Sequence, residues 1–108
     1  MADTLAEGPK LQKGNALTSS NGAYTLTLQT DGNFCLYKSH VYEWCSEQVG
    51  WGTGDKVTMQ TDGNLCLTSN GANPRCSNTS LNFGAYLVVR DDGRVVIFDG
   101  TTSLWTIP

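Results

Sequence analysis

The chain is written in three copies of one unit. Leu26-Thr27-Leu28-Gln29-Thr30-Asp31-Gly32-Asn33-Phe34-Cys35-Leu36-Tyr37 recurs 31 residues later as Val57-Thr58-Met59-Gln60-Thr61-Asp62-Gly63-Asn64-Leu65-Cys66-Leu67-Thr68. A looser third copy, Leu87-Val88-Val89-Arg90-Asp91-Asp92-Gly93-Arg94-Val95-Val96-Ile97-Phe98, follows after a further 30. Seven residues beyond the end of each copy stand Trp44, Arg75 and Trp105. A period of this length marks a supersecondary unit that cannot bury its apolar face alone and shares a core with its neighbours. The units fall at approximately 15–46, 47–78 and 79–108 of a single domain.

Within a unit, apolar residues alternate on both sides of an Asp-Gly: Tyr24, Leu26 and Leu28 before it, Phe34 and Leu36 after it. Asp-Gly between alternating segments is a strong hairpin signal, because glycine accepts the positive φ of a tight turn. A second turn is expected at Lys38–Val41, centred on His40, and its counterpart at Ser69–Pro74, centred on Gly71. Each unit thus reads as strand, turn, strand, turn, strand, with room for a further short strand before it. The chain is expected to be all-β, with three small sheets facing one axis. Leu26, Leu28, Leu36, Met59, Leu65, Leu67, Leu87, Val89, Val95 and Ile97 are the core candidates, and Trp44 and Trp105 are expected near the axis.

The four cysteines follow the repeat: Cys35 and Cys45 are ten apart, as are Cys66 and Cys76. Antiparallel pairing about the second turn sets each pair opposite one another, within reach of a disulfide. Cys35–Cys45 and Cys66–Cys76 are the expected bridges. Cys35–Cys66 with Cys45–Cys76, or four buried thiols, are the alternatives. The spacing is too wide for a zinc pair, and His40 has no second histidine to join it, so no metal is expected.

Gln29 and Asn33 flank the first Asp-Gly turn, Asp31 lies in it, and positions 33, 35 and 37 share one face of the strand. Asp31, Gln29, Asn33 and Tyr37 make a patch with a carboxylate acceptor, two amides and a phenol, and Cys35 supplies an apolar floor. The hydroxyls and C–H face of a sugar need this mixture. A duplicated structural turn would also repeat Asp-Gly-Asn, so the residues alone leave turn and binding site both open.

Gln-x-Asp-x-Asn-x-apolar-x-Tyr in three copies, with tryptophan after two of them, resembles the bulb-type (monocot, snowdrop-lectin-like) mannose-binding lectins. The resemblance covers most of the chain. It implies the β-prism II fold, three antiparallel sheets of about four strands around a pseudo-threefold axis, with one potential metal-independent mannose site on each. Carried over residue by residue, carbohydrate-binding site 1 is Gln29, Asp31, Asn33 and Tyr37, with Cys35 where the family usually has valine. Site 2 is Gln60, Asp62 and Asn64 with Cys66, but Thr68 replaces the tyrosine, which implies a weaker site. Site 3 keeps Asp92 and Val96, while Arg90, Arg94 and Phe98 replace the amides and the phenol, and it is expected to be degenerate. Cys45 and Cys76 stand where the family usually has a small residue, and both members of each expected bridge have changed together. Arg75 replaces an axial tryptophan and must turn outward or find a partner. The family's exchange of C-terminal strands allows a homodimer.

The resemblance implies a non-catalytic lectin for mannose or mannose-containing glycans. The alternative is a sugar-silent, lectin-like protein acting through protein–protein contacts as an inhibitor or structural module. An enzyme is disfavoured, because no nucleophile–base pair or close carboxylate pair stands outside the turns, and no cofactor is expected. A β-trefoil would need longer repeats and a Gln-x-Trp signature. Net charge is −3, and the seven basic residues are scattered, which argues against nucleic acid. No apolar run approaches a transmembrane length, so membrane insertion is not expected. The protein is expected to be secreted if the disulfides form, and cytoplasmic if Met1 is the native start. Asn78-Thr79-Ser80 reads as either a glycosylation sequon or a turn.

Overall fold

The computed structural model describes residues 3–6, 8, 10–70 and 72–107, with the backbone alone at 72 and 73. Met1 and Gly71, the expected centre of a turn, lie outside the described residues. Twelve strands run in chain order: β1 (Thr4–Leu5), β2 (Lys10–Gln12), β3 (Ala16–Thr18), β4 (Tyr24–Leu28), β5 (Phe34–Lys38), β6 (Val41–Cys45), β7 (Lys56–Met59), β8 (Leu65–Ser69), β9 (Ala72–Cys76), β10 (Tyr86–Val89), β11 (Val95–Asp99) and β12 (Thr102–Ile107). One 3-10 turn, Ser46–Val49, follows β6. The strands form three four-stranded sheets: β3-β4-β5-β6, β2-β7-β8-β9 and β1-β10-β11-β12, antiparallel throughout. No helix among the described residues is long and apolar enough to cross a membrane.

The fourth strand of each sheet is local only in the first. β2 crosses to pair with β7 (Leu11↔Val57), and β1 with β10 (Leu5↔Leu87). Each of these short strands delivers one buried leucine to the core: Leu5, Leu11 and Leu17. All ten core candidates named from the sequence are buried, together with Phe34, Val57, Ala85 and Ile107. Burying a leucine or valine side chain is worth about 1.5–3 kcal/mol relative to exposing it, so the shared core is the main reason the sheets associate.

The second hairpin of the first unit is tighter than a turn centred on His40. Ser39 and His40, both at positive φ, form a two-residue turn with Lys38 paired to Val41, so the centre lies between them and not on His40. Positive φ at both central residues gives a turn whose twist matches that of the strands. A bulge then inserts Glu43, restoring Leu36↔Trp44 and Cys35↔Cys45. Bulges at the same place in the other sheets set Leu67 opposite Arg75 and Ile97 opposite Trp105. Both expected disulfides are present, each with its Cα atoms 4.1 Å apart.

At the axis, the two tryptophans expected from the repeat are joined by one that was not. Trp51 stacks on Trp105 with centroids 5.7 Å apart and meets Trp44 edge-on at 6.3 Å. Arg75, in the register position of Trp44 and Trp105, is exposed. Trp51 thus completes an aromatic trio that Arg75 leaves short, and the guanidinium avoids an unpaired burial.

The three Asp-Gly turns lock the units into a ring. The Gly54 N–H donates to Gly32 O at 2.9 Å, and the Asn82 N–H donates to Asp62 O at 3.0 Å. The third turn closes on the first unit, with the Asn21 N–H donating to Asp91 Oδ1 at 2.9 Å and the Gly93 backbone lying against the Tyr24 ring. A Cβ at Gly63 would meet Asn82 O at 2.2 Å and one at Gly93 would meet the Tyr24 ring at 2.7 Å, so glycine here serves close approach as well as positive φ.

Candidate functional site

Gln29 and Asn33 stand just beyond the ends of β4 and β5 and face each other across the turn, with the Gln29 N–H donating to Asn33 O at 2.9 Å. Asp31 Oδ1 accepts the Asn33 N–H at 2.9 Å, and the same bond joins Asp62 to Asn64 and Asp92 to Arg94. The aspartate is therefore first a turn residue, present in all three units whether or not their amides survive. Its second oxygen makes no hydrogen bond in units 1 and 2 among the described residues. In unit 3 that oxygen is paired with Arg90 at 3.4 Å.

The side-chain amide of Asn33 is oriented from behind. Its Oδ1 accepts the Glu47 N–H at 3.1 Å and lies 3.2 Å from Ser46 Oγ. A backbone N–H can only donate, so the oxygen must face inward and the NH2 group is left to donate elsewhere. Ser46 is fully buried; its hydroxyl also accepts the Phe34 N–H at 3.0 Å and donates to Gly52 O at 2.7 Å. Unit 2 repeats the device: Asn64 Oδ1 accepts the Thr79 N–H at 3.2 Å and lies 3.4 Å from Ser77 Oγ, which lies 2.7 Å from the Thr79 hydroxyl. In unit 3, Ile107 occupies the corresponding place and Arg94 replaces the asparagine. The serine is present only where there is an amide oxygen to hold.

Sequence reasoning passed over Ser46 and Ser77. The signal was there, since a serine follows the second cysteine of each bridge: Cys45-Ser46 and Cys76-Ser77. The bridges Cys35–Cys45 and Cys66–Cys76 anchor the strand ends from which those serines project. Cys35 and Cys66 are each only 1% exposed, so the disulfides lie beneath the polar groups.

Sites 1 and 2 differ at their far ends. The Gln29 side-chain amide donates to the Tyr37 hydroxyl, which fixes both groups and leaves Gln29 Oε1 and the phenolic proton available. In unit 2, Thr68 stands opposite Lys56 as Tyr37 stands opposite Thr25. Gln60 is exposed and makes no side-chain hydrogen bond among the described residues. Site 1 is thus a preorganised set of one carboxylate oxygen, two amides and a phenol; site 2 has its asparagine held but its glutamine free. Site 3 has an ion pair and a buried valine, Val96.

No protein-family model matches the chain, and no curated protein sequence matches it. Solved structures do. A lectin from Japanese Marasmius oreades has a TM-score of 0.87 and 26% identity over 98% of this chain and 90% of its own. A monomeric monocot mannose-binding lectin from Gastrodia elata has a TM-score of 0.82 and 32% identity over 97% of this chain and 96% of its own. The mannose-specific agglutinin of snowdrop (Galanthus nivalis) bulbs, solved with methyl-α-D-mannoside, has a TM-score of 0.76 and 29% identity over 95% and 93%. With three four-stranded sheets around one core and this likeness along almost its whole length, the chain belongs to the bulb-type, snowdrop-lectin-like family with the β-prism II fold.

Proposed function

We propose that the protein is a non-catalytic lectin that binds mannose or mannose-containing glycans without a metal, with site 1 as its principal site. The carrying observation is the Asn33 amide, whose oxygen accepts the Glu47 N–H above the buried Ser46 so that its NH2 faces out beside Asp31 and the Gln29–Tyr37 pair. A hexose hydroxyl both donates and accepts, and this cluster offers acceptors on Asp31 and Gln29 and donors on Asn33 and Tyr37. Site 2, Gln60, Asp62, Asn64 and Thr68 over Cys66, supports weaker binding, and the unit 3 residues Asp92 and Val96 support none of the family's kind. Two oxidised cysteine pairs support a secreted protein. The family's strand exchange supports a homodimer, which light scattering of the eluted protein tests by its mass.

Retention on mannose-agarose is the direct test. The wild-type protein should be retained, chelator should leave retention intact, and Asn33→Ala should abolish most of it. Absence of retention at millimolar sugar would turn the reading toward a sugar-silent relative, and hydrolysis of any glycoside by the pure protein would overturn the non-catalytic assignment.

A further inference from the structure

The two supported asparagines are held by routes of different length. Asn33 Oδ1 accepts from the first residue after its serine, Glu47, and Asn64 Oδ1 from the second, Thr79. Asn78 is the residue left over in unit 2. It stands outside the strands at φ 60°, exposed, and its side chain makes no hydrogen bond among the described residues. Thr79 points the other way: it is buried, and its hydroxyl donates to Gly63 O at 2.6 Å. Ser80 is again exposed, with its hydroxyl unbonded among the described residues. Asn78-Thr79-Ser80 thus offers its first and third side chains to solvent and its second to the core. The turn accounts for an asparagine at positive φ, as it would for a glycine, but it makes no demand on Ser80. No other asparagine of the chain has serine or threonine two residues on.

The same stretch carries the most exposed large hydrophobic side chains among the described residues, Leu81 at 84% and Phe83 at 72%. Their loop is tied down. Asn82, between them, donates its N–H to Asp62 O at 3.0 Å and its Nδ2 to Thr79 O at 3.0 Å and Ser80 O at 3.1 Å. A tethered loop therefore presents bare apolar surface three and five residues beyond Asn78. We infer that Asn78 is an N-glycosylation site, filled as the chain passes through a eukaryotic secretory pathway, and that the first sugar of its glycan covers Leu81 and Phe83. An N-acetylated hexose brings a C–H face and a methyl group to the apolar pair and turns its hydroxyls to water. In the transfer, Asn78 Nδ2 bonds to C1 of the first sugar of a polyprenyl-diphosphate-linked oligosaccharide. The C1–O bond breaks, the lipid diphosphate leaves, and the amide loses one proton. The inference rests on the secretory reading of the disulfides.

Expression of the chain behind a cleavable leader in a eukaryotic secretory host tests it. The intact mass of the secreted protein should exceed that of the bare polypeptide, and peptide N-glycosidase should remove the excess and convert Asn78 to aspartate. Ser80→Ala should abolish the excess with Asn78 itself untouched, and Ser80→Thr should retain it. Enzymatic removal of the glycan should raise the binding of a hydrophobic dye, and the double variant Leu81→Ser, Phe83→Ser should suppress that rise. A secreted, oxidised protein without a glycan would overturn the inference and leave secretion standing. A glycan whose removal leaves dye binding unchanged would overturn the cover assigned to Leu81 and Phe83, and pairing of the stripped chains through this loop would give the patch to a second copy instead. Retention of the chain in the cell with free thiols would sink the secretory reading and the inference together.

Discussion

Ser46 and Asn33 form a buried support and a half-buried working group. The serine hydroxyl, fully shielded from water, lies 3.2 Å from the asparagine oxygen, whose inward orientation is set by the Glu47 N–H. Ser46→Ala should weaken site 1 by roughly tenfold, because the hydroxyl that ties the Phe34 N–H to Gly52 O beneath Asn33 is lost. It also leaves the Phe34 N–H without its acceptor, at a cost of about 1–3 kcal/mol in stability. Calorimetric titration well below the melting temperature separates the two effects. Unchanged affinity in a folded variant would show that Glu47 N–H alone holds the amide.

The two intact pentapeptides should be unequal. Asn33→Ala should remove most monosaccharide binding and Asn64→Ala much less, because Tyr37 fixes Gln29 while Thr68 leaves Gln60 unheld. A glycan array with both variants checks the order. Equal losses would mean that a threonine, through water, replaces the tyrosine adequately.

Gly63→Ala should be far more damaging than Gly14→Ala. Both glycines have positive φ, 87° and 91°, so each substitution carries a backbone penalty of about 1–2 kcal/mol. A Cβ at Gly14 meets nothing within 4 Å, whereas at Gly63 it falls 2.2 Å from the Asn82 backbone oxygen. The Gly63 variant should lose on the order of 3 kcal/mol or more, read from urea unfolding midpoints. Similar losses at both positions would mean that the ring of turns is loose enough to yield.

Trp51→Ala should cost about 2 kcal/mol, less than truncation of a fully buried tryptophan because Trp51 is only partly covered. Near-UV circular dichroism should change with it, since the residue couples Trp44 to Trp105. An unchanged spectrum and melting temperature would show that the aromatic trio contributes little.

Replacing Cys35 by valine and Cys45 by alanine should lower stability by about 3 kcal/mol, the chain-entropy value for a loop of this length. Site 1 should weaken as well, since Cys45 precedes the serine and the N–H that hold Asn33. Denaturant titration and sugar binding on one preparation check both parts. Full affinity in this variant would mean that the strand end needs no staple.

Much of the fold is legible because strands write their burial into a period of two and Asp-Gly marks the hairpins. Leu26, Leu28, Leu36 and their counterparts follow from that alone. β1 and β2 were not legible, because strands of two and three residues carry one apolar side chain each and no period. The bulge at Glu43 was hidden because a turn centred on His40 without a bulge and a tighter turn with one both set Cys35 against Cys45. Trp51 lies outside the repeat, and its place at the axis follows only from Arg75 having turned away. In the site, the residues that face outward repeat visibly; the serines that hold them do not stand out, because a buried serine looks like any turn residue until its partners are known.

The crossing of β1 and β2 fixes an order of assembly during synthesis. The first sheet draws all its strands from residues 16–45 and can close as soon as that stretch has left the ribosome. Leu11 must wait for Val57, and Leu5 for Leu87, with the earliest residues held open longest. Pairings of such long sequence separation are slow to form, so closure of the third sheet is the late step of folding. Until then the first two sheets leave open the apolar face that the third will cover, and a chaperone that shields it would act in the interval before residues 86–89 emerge.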